Sequence, residues 1–220
     1  MSTTPIADHA ALTQAKLAAQ APAELLAPFD EERRQLTAAG VPADVAQPGT
    51  PLPDADLVDA HGGSTTLHTA LGGRPAVVVF YRGAWCPFCN LALRTYQAEL
   101  VEPLAQRGAV LVAISPQKPD GSLTMQETNE LTFTVLSDEG NKIAARLGIL
   151  TEPTDGAKAT QAALGLDVAA RNADGTAVIP MPTTLVVDAG ATIRWIDVHP
   201  DYVSRSEPAA ILAAFDAVAQ

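Results

Sequence analysis

Two continuously apolar, β-branched runs set the frame for this chain. Ala76-Val77-Val78-Val79-Phe80-Tyr81, opened by Pro75, and Ala109-Val110-Leu111-Val112-Ala113-Ile114 each read as a strand buried on both faces. Between them, Cys86 to Gln106 has helical spacing, and Leu93, Tyr96, Leu100 and Leu104 form a core-facing stripe. Pro103 is expected to kink that helix near its end and Gly108 to stop it. A helix of ~20 residues crossing between two buried strands is a βαβ unit, so the strands should run parallel.

The only two cysteines stand where the first strand passes into the helix, in Trp85-Cys86-Pro87-Phe88-Cys89. A helix start presents free N–H groups and a partial positive charge, and a thiol placed there can ionise. With Cys86 as N-cap, Pro87 is the first helical residue, where its missing N–H is no loss. The Cys86 side chain could then accept from the amides of Phe88 and Cys89. CxxC thiols so placed have pKa values of roughly 3.5–7.5 rather than ~8.5. Residues three apart on a helix have Cβ atoms about 5–6 Å apart. A disulfide wants about 3.5–4.5 Å, so a slight tightening of the first turn closes the pair.

A redox role fits better than a staple or a metal site. Closing so short a loop gains only ~2 kcal/mol on the chain-entropy model, and a chain of 220 residues with 47% hydrophobic residues has a core of its own. A structural zinc needs four ligands, and His9, His61, His68 and His199 stand at no ligand spacing. No metal is expected, and no cofactor: there is no Walker loop, no GxGxxG and no haem CxxCH. The net charge of −11 argues against nucleic acid and against an anionic membrane surface. No basic, apolar leader opens the chain and no apolar stretch reaches the ~20 residues needed to span a bilayer, so a cytoplasmic location is expected.

Residues 1–45 are rich in Ala, Leu, Gln and Glu and suggest two short helices, roughly Asp8 to Gln20 and Phe29 to Ala39, an N-terminal extension to a redox domain over 46–220. Val41 to Pro53 reads as a linker, and Asp59 to Gly63 as a turn between weak strands. Asn141 to Leu147 is a further helix, while 150–180 is hard to place. Thr183 to Val187 and Ile193 to Val198 read as a hairpin. Glu207 to Val218 closes the chain as a helix, with Ser206 a candidate N-cap and Pro208 at its start.

This order, with a dithiol after the first core strand, resembles the thioredoxin superfamily: an α/β fold with a central mixed sheet flanked by helices. Phe80 to Cys89 resembles the active-site segment of peroxiredoxin-like proteins of the alkyl hydroperoxide reductase and thiol-specific antioxidant group. Ala113-Ile114-Ser115-Pro116-Gln117, Leu136-Ser137-Asp138, Met181-Pro182-Thr183-Thr184 and Asp201 to Pro208 resemble later segments of the same group. The resemblance covers about residues 48–218. It implies that Cys86 and Cys89 are catalytic, with Trp85, Pro87, Arg82, Met181 and Pro182 in support. Met181-Pro182 is similar to the cis-proline turn beside a thioredoxin-fold dithiol, which offers the backbone of the preceding residue to an incoming peptide or thiol. Against the peroxidase pattern Pro-x-x-x-Thr-x-x-Cys, Arg82 stands at the proline, Cys86 at the threonine and Cys89 at the peroxidatic cysteine. The family arginine would fall near Pro182. Arg82 and Arg205 could supply its charge; the alternative is that each is a surface or structural arginine.

Two enzymes fit these residues. In one, Cys89 attacks a peroxide and Cys86 condenses with the sulfenic acid. In the other, Cys86 attacks a protein disulfide and Cys89 resolves it. The resemblance favours the first, regenerated by a thioredoxin-like or small-thiol reductant, and is compatible with a homodimer. A non-catalytic redox-sensing or interaction module is the third reading.

Overall fold

The computed structural model describes residues 4–218. Two helices lead, α1 (Ile6–Gln20) and α2 (Ala23–Ala39). Strands β1 (Asp56–Asp59) and β2 (Ser64–Thr66) form a hairpin, followed by α3 (Leu67–Leu71). Next come β3 (Ala76–Phe80), α4 (Pro87–Glu99), α5 (Val101–Gln106) and β4 (Val110–Ser115). Then follow α6 (Pro119–Thr128), β5 (Thr134–Ser137) and α7 (Lys142–Arg146). The stretch that was hard to place holds β6 (Leu150–Thr151), α8 (Asp155–Ala163), α9 (Val168–Arg171) and β7 (Ile179–Pro180). Strands β8 (Thr183–Val187) and β9 (Ile193–Val198) and helix α10 (Pro208–Val218) complete the chain.

Seven strands make one mixed sheet in the order β2-β1-β5-β4-β3-β8-β9. The β3 and β4 pair is parallel, as the crossover demands, and β3 pairs antiparallel with β8. Side chains alternate across β3. Val77 and Val79, with Tyr81 just beyond the strand, enter the core that holds both cysteines, whereas Ala76, Val78 and Phe80 enter the core on the opposite face. Burial on both faces is why this strand is apolar without alternation.

The crossover is two helices rather than one kinked helix. Pro103 has no N–H and its ring crowds the turn before it, so the break falls at Leu100, upstream of the proline. The expected stripe holds through the break: Leu93, Tyr96, Leu100 and Leu104 are all buried.

Helix α1 lies on α4, with Ile6 and Ala10 buried in the dithiol-side core. Its first amides, Ile6 and Ala7, donate to the Glu207 carboxylate at 2.9 and 3.0 Å, which satisfies two orphan donors with a favourable charge. Glu207 therefore caps α1 from across the fold. Ser206, the expected N-cap of the last helix, instead donates its hydroxyl to Asp197 at 2.8 Å. Helix α2 begins earlier than expected and contains Pro28. The stretch read as a linker is fixed along the second core by Val45 and Leu52, both buried. Gly148, at φ +71°, lets that stretch approach, since a Cβ there would stand 2.7 Å from the Asp44 carbonyl.

Candidate active site

The dithiol loop is built by the end of β3 and the start of α4. Cys86 is the N-cap and Pro87 the first helical residue, as the spacing requires. The Cys86 amide donates to the Gly83 carbonyl, and its own carbonyl accepts from the amides of Cys89 and Asn90, all at 3.1 Å. Asn90 closes the loop from below: its Nδ2 donates to Ala84 O at 2.7 Å and Cys86 O at 2.9 Å. Asn129 Nδ2 donates to Asn90 Oδ1 at 2.7 Å, and Arg94 in turn donates to Asn129 at 3.1 Å. From the end of β4, buried Gln117 accepts the Ala84 amide. Gly83 must lack a side chain, because a Cβ would collide with the Trp85 indole and come within 3.0 Å of Gln117 Cδ.

Both thiols are free and buried. The Cys86 side chain makes no capping bond, contrary to expectation. Its thiol acts on the other sulfur instead. Cys89, not Cys86, is the sulfur poised to ionise. Burial pushes Cys89 up, but four influences outweigh it: the hydrogen bond from Cys86, the Arg205 charge, the Arg82 backbone amide and the Arg82 charge. Together they hold Cys89 well below the ordinary thiol value. Cys86 is pushed well above it, first by giving its proton toward Cys89 and then by burial.

The decisive contact is Arg205 Nη2 to Cys89 Sγ, at 3.2 Å. Arg205 reaches in from the turn before α10. Its Nη1 is held by the carbonyls of Tyr202 and Ser204, both at 2.6 Å. Among the described residues no carboxylate forms an ion pair with it, so its charge is directed at the sulfur. Arg82 is buried too, with its guanidinium 4.0 Å from the Tyr202 ring centroid and 5.0 Å from that of Trp85. It is a cationic wall of the loop rather than the direct ligand.

Of the residues expected here, Cys86, Cys89, Trp85, Arg82 and exposed Pro87 come together at the loop. Met181 and Pro182 do not act as expected. No peptide bond among the described residues is cis, so Met181–Pro182 is trans. Only two residues separate β7 from β8, and the backbone groups of Met181 and Pro182 are already paired. Met181 N–H donates to Ile149 O at 2.7 Å, its carbonyl accepts from Thr183 Oγ1 at 2.9 Å, and Pro182 O accepts from His199 N–H at 2.9 Å. The Met181 side chain lies in the core on the opposite face from the cysteines. The Met181 and Pro182 backbone is therefore committed within the fold.

Asn90, Gln117, Asn129 and Tyr202 escaped sequence reasoning. A polar residue directly after the second cysteine was the available signal for Asn90. Arg205 and Tyr202 both lay within a segment that carried the resemblance, but spacing alone could not bring them to the sulfur.

A model of the AhpC/TSA family matches residues 48–196, more than half of the chain. The chain belongs to the AhpC/TSA family. It is similar to chloroplastic peroxiredoxin Q of Triticum aestivum, 28% identical over 130 residues that make up 59% of either chain. It spans about half the length of the curated relatives it matches. Among solved structures it is similar to peroxidoxin BcpB from Mycobacterium tuberculosis, with TM-score 0.59 and 21% identity, covering 78% of this chain and 97% of that one. Reduced Prx3 in complex with hydrogen peroxide, from Vibrio vulnificus, gives TM-score 0.63 and 18% identity over 78% and 99%. At those identities the structural likeness is one of fold. In this AhpC/TSA chain the matched region ends before the turn that carries Arg205.

Proposed function

We propose that this chain is a thiol peroxidase that reduces hydrogen peroxide or small organic hydroperoxides through Cys89, with Cys86 as the resolving thiol. The observation that carries the reading is the Arg205 guanidinium on a fully buried Cys89 sulfur. A fixed cation beside a desolvated thiolate serves nucleophilic attack, and it stands at Cys89, the position matched to the family's peroxidatic cysteine. The Cys89 thiolate attacks the terminal peroxide oxygen, the O–O bond breaks, and the leaving oxygen takes a proton to become water or an alcohol. Cys89 is now a sulfenic acid. The Cys86 thiol attacks its sulfur, water leaves, and a Cys86–Cys89 disulfide forms. A dithiol reductant, thioredoxin-like or a small thiol, then exchanges with that disulfide and restores both thiols.

Three features speak for a peroxide over a protein disulfide. The sulfur that a CxxC oxidoreductase would use first, Cys86, keeps its proton. Both sulfurs are buried, which suits a small substrate. The Met181 backbone is already paired. We place this work in the cytoplasm, where thiol reductants are abundant; no helix among the described residues is long and apolar enough to cross a membrane.

Steady-state peroxide consumption with a thiol reductant tests the reading on wild type, Cys86→Ser and Cys89→Ser. Wild type is expected to turn over, Cys89→Ser to be inactive, and Cys86→Ser to lose the disulfide-linked cycle. A wild type that consumes no peroxide but reduces a protein disulfide would replace this reading with the oxidoreductase.

A further inference from the structure

Arg205 does not reach Cys89 unaided. It sits in a turn, residues 201–206, that belongs to no helix or strand. The outer side of this turn is fastened to α2. Arg33 makes a two-pronged contact with Asp201, Nε to Oδ1 at 2.9 Å and Nη2 to Oδ2 at 3.0 Å. One helical turn earlier, the Phe29 carbonyl accepts from Tyr202 Oη at 3.3 Å. Helix α2 is itself pinned by buried Glu32, which accepts the Thr154 amide at 2.8 Å. Asp201 then organises the turn. Its Oδ1 accepts from the Val203 amide at 3.1 Å, and its carbonyl accepts from the Ser204 amide at 3.0 Å and the Ser204 hydroxyl at 2.9 Å. The Tyr202 and Ser204 carbonyls, fixed in this way, hold Arg205 Nη1 and leave Nη2 for the sulfur.

We propose that Arg33 is a positioning residue for the dithiol: its fork on Asp201 holds the turn that presents Arg205 to Cys89, so the N-terminal helices tune the nucleophile through one intervening turn. The proposal rests on Cys89 being the nucleophile, as assigned above. Both partners are largely shielded, with side chains 23% and 30% exposed, so the pair is not an ordinary surface bridge. Two-pronged arginine–carboxylate contacts fix orientation as well as charge.

The test reads the Cys89 thiolate directly, by ultraviolet absorbance against pH in a Cys86→Ser background that leaves one thiol. Peroxide turnover does not enter the measurement, so failure of the peroxidase reading has a separate signature. Arg205→Met sets the scale. Arg33→Ala is expected to raise the midpoint by about one pH unit, which is ~10-fold less thiolate well below it. Two variants separate positioning from simple loss of charge. Arg33→Lys keeps the charge but loses the fork, and Asp201→Asn removes a negative charge that would otherwise oppose the thiolate. Positioning requires both to raise the midpoint; a pure field effect leaves the first unmoved and lowers the second. Arg107→Ala, which breaks the exposed Arg107–Asp216 pair, is the control and should not move it. The proposal is overturned if every folded Arg33 variant titrates like the parent, or if Asp201→Asn lowers the midpoint.

Discussion

Cys86 and Cys89 are neighbours on one turn with opposite electrostatics. Cys89 faces Arg205 and is favoured as the acceptor of the Cys86 thiol proton. The sign of the pH dependence follows. Attack needs the thiolate, and Cys89 is held below the ordinary thiol value, so the peroxide rate should be flat near neutrality and fall as pH drops through that lowered value. Arg205→Met removes a charge that favours the thiolate. Its acidic limb should move to higher pH, and the single-turnover rate with peroxide near pH 6 should fall by ~10-fold or more. An unmoved limb would mean that the guanidinium does not act on the sulfur. Spacing made the dithiol legible, because its chemistry is local to five residues. Spacing left the choice between its sulfurs open, because it depends on an arginine far along the chain; the resemblance alone favoured Cys89. The cis-proline expectation failed for the same reason: only the paired partners Ile149, Thr183 and His199 show that the Met181-Pro182 backbone is committed elsewhere.

At the scale of elements, the loop before α4 is held by side-chain amides rather than by the helix alone. Asn90→Ala should leave the Ala84 and Cys86 carbonyls without their Nδ2 donor and Asn129 with the Met125 carbonyl and sulfur but not the Asn90 oxygen to donate to. A loss of ~1–3 kcal/mol is expected, seen as a melting temperature lower by about 3–10 °C in the reduced protein. An unchanged melting temperature would show that the loop needs no such tether. The central elements were readable from pattern: β3, β4, β8 and β9 are strongly apolar or alternating, and α4 carries a periodic stripe. The elements between 150 and 180 were not, because α9 and the β6 and β7 strands have four residues or fewer and take their shape from tertiary contacts such as Leu150 against Pro180. Boundaries moved where proline acts on the turn before it, as at Pro103.

For the whole molecule, the N-terminal helices are part of the structure around the site. Ile6 and Ala10 complete the dithiol-side core, and Glu207 ties the start of α1 to the start of α10. Removing residues 1–39 would expose that core and release the Asp201 turn. The truncated chain should melt at least ~5 °C lower, since burying an Ile side chain alone is worth ~2 kcal/mol. Glu207→Gln, which keeps shape but drops the charge at two helix amides, should cost about 1 kcal/mol by denaturant titration. On the proposed reading, Cys89 is the sulfur that meets the peroxide. Mass spectrometry of a sulfenic-acid trap after one equivalent of hydrogen peroxide decides this, on Cys86→Ser and Cys89→Ser in parallel. The trap is expected on Cys89 in Cys86→Ser and absent from Cys89→Ser; a trap on Cys86 in Cys89→Ser, with none on Cys89 in the other variant, would make Cys86 the attacking sulfur.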